Sequence, residues 1–413
     1  MAKKKRKRKV VHRPKPLSGK ELKKRVDLFY TRVLEICETF GARQAMEQVP
    51  YSERLPMYQL RFRPMKLKQM DHVKFHPLLL KTLRAMLDET FLNKKTFTFP
   101  GSAIEIPFCD YFTYVLTIFF WYGAVDEEDS LNFELQRQKL KPLFDFCHRG
   151  ENPEKELSYF LNVLGSRLTG KPHQYCYYFE KKIEQNVKPV PYYSVHITLK
   201  AIRSTTRKVN FGKDKREVFL VTGWRPGSLQ KTQLNAGDIC GNTLIQDMKF
   251  DVYMQKHALD RLNERLDLFH PTELFSHVAT SIEKAEFIAD GHNKGLLCYY
   301  FYGYLLGYLV VEVSEGIAVI RTFLFLTNDG TPEGKRLTKS LGVSKLDKSY
   351  TGLDRINTFL GNLKEDKQLS KLLTDAGCGI LLNIDSKLIP KSKRSEVQID
   401  VPALKKYLEL EEK

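Results

Sequence analysis

The chain has 413 residues, with 67 Lys plus Arg against 49 Asp plus Glu and a formal net charge of +18. A hydrophobic share of 42% is enough to build cores, which excludes a globally disordered, collagen-like or low-complexity chain. At roughly 100–200 residues per domain the length suggests two or three domains, and the charge points to nucleic acid, RNA or DNA, as partner.

The charge is concentrated at the start. Residues 1–25 hold 13 of the basic residues and one acid, Glu21. Lys3, Lys4, Lys5, Arg6, Lys7, Arg8 and Lys9 form a run too charged to fold alone. A disordered arm is expected over 1–17, able to grip a polyanion or, if the host has a nucleus, to act as a nuclear address; otherwise the protein is expected in the cytoplasm. No apolar core follows the arm, so no secretory signal is expected. The seven cysteines, Cys37, Cys109, Cys147, Cys176, Cys240, Cys298 and Cys378, include no C-x-x-C pair, which argues for reduced thiols rather than disulfides or a zinc ribbon.

Ser18-Gly19-Lys20-Glu21 reads as a capping box. Leu22, Val26, Phe29, Val33 and Cys37 follow at helical spacing until Gly41. A helical domain is expected over 18–170, with helices at Leu78–Phe91, Tyr111–Tyr122, Leu131–Cys147 and Glu154–Leu164. The apolar run Tyr111–Val125 is shorter than the roughly 20 residues that span a bilayer, so it reads as a buried helix and no membrane contact is expected. Its Tyr111–Trp121 stretch would be the surface of a protein partner, if the helical half docks one. Asp126-Glu127-Glu128-Asp129 reads as an exposed loop.

Short β-branched and aromatic segments begin after Lys171: Cys176–Glu180, Tyr192–Ile202, Lys208–Phe211 and Val218–Thr222. They predict a small antiparallel region over 171–247. Lys200, Arg203, Arg207, Lys208, Lys213, Lys215 and Arg216 alternate there with Tyr192, Tyr193, Phe211 and Phe219. That mixture suits a nucleic-acid surface; an ordinary solvated hairpin over aromatic core residues explains it too.

Over 248–345 a strand Met248–Met254, helices Lys256–Leu266 and Thr272–Ala285, and a meander Leu296–Phe301, Tyr304–Val313 and Ile317–Thr327 are expected. Asn328-Asp329-Gly330-Thr331 is a turn; Thr331-Pro332-Glu333 starts a helix from whose first turn Lys335 and Arg336 could reach a phosphate, and a plain hairpin exit explains the same loop. A helical extension over 346–413 is expected to hold helices Leu353–Leu360, Gln368–Leu373 and Ala403–Glu412, with a short strand Ile380–Ile384. The fold class is therefore α+β: a mostly helical N-terminal half, then small antiparallel sheets with flanking helices.

No phosphate loop, dinucleotide fingerprint, H-E-x-x-H or G-x-S-x-G motif is present, and no cofactor or metal is expected. The chemistry-bearing segment is Lys256–Leu266. At about 100° per residue His257, Arg261 and Arg265 share one helix face, opposite Leu259, Leu262 and Leu266. Histidine exchanges a proton near neutral pH, and arginine matches phosphate oxygens. RNA supplies its own nucleophile, so a base, an acid and a charge stabiliser suffice. The same spacing also suits an exposed face on which Asp260 and Glu264 pair with the arginines.

The order of strand, His257-Ala258-x-x-Arg261-x-x-x-Arg265 helix, second helix and meander ending in Ile320-Arg321-Thr322-Phe323 resembles RelE-like domains of the barnase–EndoU–colicin–RelE ribonuclease superfamily. The resemblance covers about residues 250–327 only. It implies metal-independent endoribonuclease chemistry, toxin-like, with His257 as general acid or base, Arg261 and Arg265 as phosphate ligands, and Arg321 or Thr322 contributed by the last strand. The alternative is a non-catalytic RNA- or DNA-binding component of a ribonucleoprotein, anchored by the arm.

Overall fold

The computed structural model describes residues 17–69, 76–98, 103, 105–124, 140–141, 153–187, 190–240, 247–289, 293–342, 344–360, 362–390, 393 and 401–408. The run Lys3–Lys9, the acidic cluster Asp126–Asp129 and nearly all of the helix expected at Leu131–Cys147 lie outside them. The fold is α+β, and backbone proximity divides the chain into two compact units. Unit 1 is Met1–Leu161 with Phe179–Lys200; unit 2 is Asn162–Tyr178 with Ala201–Lys413.

In unit 1 the first helix spans Gly19–Glu38, with the Ser18 hydroxyl accepting from Glu21 N at 3.2 Å. Val26, Phe29, Val33 and Cys37 of the expected stripe are buried, joined by Tyr30 and Ile36. The apolar run is helical over Tyr111–Val115 and Leu116–Ala124 and buries Tyr111, Ile118 and Trp121. Among the described residues no helix is long and apolar enough to cross a membrane.

The first half is mostly helical, and it also holds strands. Strand β1, Phe62–Gln69, lies inside it, and short strands β2, Thr96–Thr98, and β3, Glu105–Pro107, pair with each other. With β4, Tyr175–Asn186, and β5, Tyr192–Arg203, β1 forms a sheet in the order β1-β5-β4. The β1–β5 pairing is parallel (Phe62↔Tyr193, Lys66↔His196), which joins segments about 130 residues apart.

Unit 2 is built on an eight-stranded sheet. Its strands are β6, Thr206–Phe211; β7, Asp214–Leu220; β10, Gln233–Asn235; β11, Lys249–Gln255; β12, Phe287–Ala289; β13, Lys294–Phe301; β14, Tyr304–Ser314; and β15, Ile317–Phe325. The order is β12-β13-β14-β15-β11-β7-β6, with β10 on β11; β8, Thr222–Arg225, and β9, Ser228–Lys231, form a separate hairpin. The expected boundary at 247/248 therefore does not separate two sheets: β6 and β7 hydrogen-bond into the sheet that holds β11. Helices Lys256–Arg265 and Pro271–Lys284 and the meander β13-β14-β15 stand close to their expected ranges. Leu259, Leu262, Phe275, Val278, Leu309 and Ile320 belong to one core. Gly307 is required within β14, because a Cβ there would run into the Leu324 carbonyl.

In the last hundred residues two expectations fail. Gly379–Asn383 is a 3-10 turn rather than a strand, burying the adjacent Leu381 and Leu382, so its apolar residues do not alternate. Ile356–Phe359 is a single 3-10 turn rather than a helix over Leu353–Leu360. Helices Pro332–Leu341, Lys367–Asp375 and Val401–Tyr407 complete the unit.

His277 marks the sheet side of the second helix, with its ring 4.7 Å from those of Phe301 and Tyr302. Burial pushes its imidazole down to about 4. The unfolded chain holds histidine near ~6.5, so on acidification it binds the proton first. The stability present above that pH is thus lost as pH falls from about 6.5 towards 4. Urea midpoints over that range should fall less steeply for His277→Gln than for the natural protein.

Candidate active site

Strand β11 ends at Gln255 and runs directly into the helix Lys256–Arg265, so Lys256 and His257 occupy its first turn. Ala258, Leu259 and Leu262 are buried beneath the helix. Their burial turns Lys256 and His257 outward, and both are exposed. No side chain caps this helix, so its first N–H groups and positive dipole end face the same side.

The neighbouring strand contributes Arg321 through an irregularity. Val310 pairs with Thr322 and Val311 with Ile320, so Arg321 is an extra residue on β15. A bulge of this kind turns a side chain out of the ordinary alternation. The guanidinium is then held on three sides. Its Nη1 donates to Glu312 Oε2 at 2.7 Å, and its Cζ lies over the Phe211 ring, 3.7 Å from the ring centre. With the Gln255 amide turned to face it, Nε donates to the amide oxygen at 3.0 Å.

Strand β7 closes the third side. It is antiparallel to β11 with Gln255 opposite Val218, which brings Arg216 and Glu217 alongside the helix start. Arg216, Glu217, Gln255, Lys256, His257, Arg321 and Thr322 line one cavity of about 590 Å³. Arg216, Lys256 and Arg321 share the wall with the single carboxylate of Glu217; just outside it Arg216 pairs with Asp214 at 2.9 Å and Arg321 with Glu312 at 2.7 Å. The cavity thus sets an ammonium and two guanidiniums beside an imidazole.

Of the residues singled out from the sequence, Arg216, His257, Arg321 and Thr322 meet here. Arg261 lies on the helix flank, paired with Glu264 at 2.7 Å, and is not in the cavity wall. Arg265 must be reassigned. It forms a buried ion pair with Asp354, the two side chains being 12% and 7% exposed, and it does not reach the cavity. Arg207 is bound to Glu315 at 3.3 Å, and Lys208 stands opposite Glu217 one strand farther out. Arg336 donates to the Ala376 carbonyl at 2.9 Å and pairs with Glu333, and Lys335 is exposed on the same helix; neither lines the cavity.

Glu217, Gln255 and Lys256 were not singled out from the sequence. Gln255 and Lys256 directly precede His257, so adjacency was their signal. Glu217 carried none, because only the β7–β11 register brings it there. No protein-family model, no curated protein and no solved structure matches the chain.

Proposed function

We propose that unit 2 binds RNA at this cavity and cleaves it as an endoribonuclease. The 2′-oxygen forms a bond to the adjacent phosphorus, and the bond from phosphorus to the 5′-oxygen breaks. The products are a 2′,3′-cyclic phosphate and a 5′-hydroxyl. His257 and Glu217 are the two groups available to take the 2′-hydroxyl proton and to return one to the 5′-oxygen. Arg321 and Lys256 take the charge that builds on the phosphate oxygens. A single observation carries the reading: a guanidinium fixed by a bulge, an imidazole at a helix start and a carboxylate line one cavity. Two of these groups, His257 and Arg321, stand on the helix and last strand from which the RelE-like resemblance was drawn, whereas Glu217 stands on β7, outside that region.

His257→Ala is expected to lower RNA cleavage by about 10²–10⁴-fold, and Arg321→Ala by about 10²–10³-fold. His257 is exposed, so its variant should keep the natural circular dichroism spectrum. End-group analysis of products, with and without divalent metal, tests the route. RNAs that stay intact under both conditions would sink the enzymatic reading.

A second reading is favoured by the ion pairs of Arg261 and Arg265, which occupy two groups that a phosphate ligand would have free. On that reading the chain binds RNA or DNA without cutting it, and the basic N-terminal run supplies the affinity. Deleting residues 1–16 would then weaken binding and flatten its salt dependence, while His257→Ala would bind normally.

A further inference from the structure

A second cavity, of about 490 Å³, adjoins the first, and Glu217 and Lys256 line both. Their chemistries differ. The first is walled by guanidinium, ammonium and imidazole groups, which suit phosphate oxygens. The second adds one guanidinium, Arg203, to the shared Glu217 and Lys256, and its remaining polar wall of His173, Gln174, Tyr175, Ser204 and Thr206 offers neutral donors and acceptors beside an aromatic ring. Burial and the neighbouring Lys256 ammonium push the His173 imidazole below its ordinary value. Its Nδ1 is buried without a hydrogen-bond partner, so a proton there would have no acceptor. His173 is therefore a neutral group at pH 7. Tyr175 is 47% exposed, and its phenol ring is open to stacking.

We propose that the His173 cavity is a base subsite of the same strand, taking the nucleobase of the nucleotide next to the phosphate held at His257. This rests on the first cavity being the phosphate site. A base can enter only when it is unpaired and unstacked, so the substrate class is single-stranded RNA. Tyr175 supplies the stacking surface, and Gln174, Ser204 and Thr206 supply hydrogen bonds to the base edge.

The test uses the full chain and a short labelled RNA whose 2′-oxygens are methylated, so that binding is read without cleavage. An otherwise identical strand lacking bases is the comparison, at raised salt to weaken the basic N-terminal run. In fluorescence anisotropy the natural protein should prefer the base-carrying strand by about 5–150-fold, the range for one stacked base. Tyr175→Ala should erase that preference and Tyr175→Phe should keep it. Equal affinity for both strands, or a preference untouched by Tyr175→Ala, overturns the base subsite alone. Failure to bind either strand overturns the phosphate site with it.

Discussion

Arg265→Met should destabilise unit 2 by about 3–5 kcal/mol, a fall of roughly 6–20 °C in its melting temperature for a unit of this size. The expectation follows from what the substitution leaves behind. Asp354 is 7% exposed, and its second carboxylate oxygen already lacks a hydrogen-bond partner. Without the guanidinium the whole carboxylate is buried and unpaired. Replacing both partners with apolar groups, Arg265→Met with Asp354→Leu, should recover most of the loss, because an uncompensated charge costs more than the pair contributes. Cleavage measured well below the transition should be unchanged in Arg265→Met. A variant that melts normally but has lost cleavage would return Arg265 to the phosphate site.

The reach of helical spacing explains why Arg265 misleads. His257, Arg261 and Arg265 advance by about 40° per four residues, so they drift around the helix rather than stack. The first faces the cavity, the second its own Glu264, and the third an aspartate 89 positions later. Nothing in local sequence reports that last partner. The meander was legible for the opposite reason, since its strands are consecutive, β-branched and separated by tight turns at Gly303 and Gly316. β1 was missed although Met65 and Leu67 are buried and Lys66 and Lys68 exposed, the expected alternation. Pro64 interrupts it, the register shifts between Arg63 and Lys66, and the partner strand is far along the chain. Arg321 was noticed as part of a strand motif; that it is a bulged residue follows only from its pairing.

Lys348→Met should also be costly, at about 1–3 kcal/mol, for a reason that begins in the loop after β15. Thr327 donates through its hydroxyl to the Leu353 carbonyl at 2.5 Å, and Thr331 donates to that of Leu326 at 2.6 Å. Gly334 packs so tightly that a Cβ would run into the Asn328 carbonyl. This folding leaves the Thr327 and Gly334 carbonyls directed at one buried point, and the Lys348 ammonium fills it. Nζ lies 2.9 Å from each carbonyl, 2.6 Å from the Thr338 hydroxyl and 2.5 Å from Asp329 Oδ1, with the side chain 2% exposed. Methionine matches the length but donates nothing, so the Thr327 carbonyl would lose its donor in a buried site, while the Gly334 carbonyl would keep the Thr338 hydroxyl at 2.9 Å. Asp329 is 36% exposed, so Asp329→Asn should cost about 1 kcal/mol or less. The two variants thus separate the backbone contacts from the ion pair. Hydrogen exchange should speed up over residues 326–338 in Lys348→Met before it does so in β13 and β14. A Lys348→Met midpoint equal to that of Asp329→Asn would mean that the carbonyls find other donors, and that the loop does not depend on this ammonium.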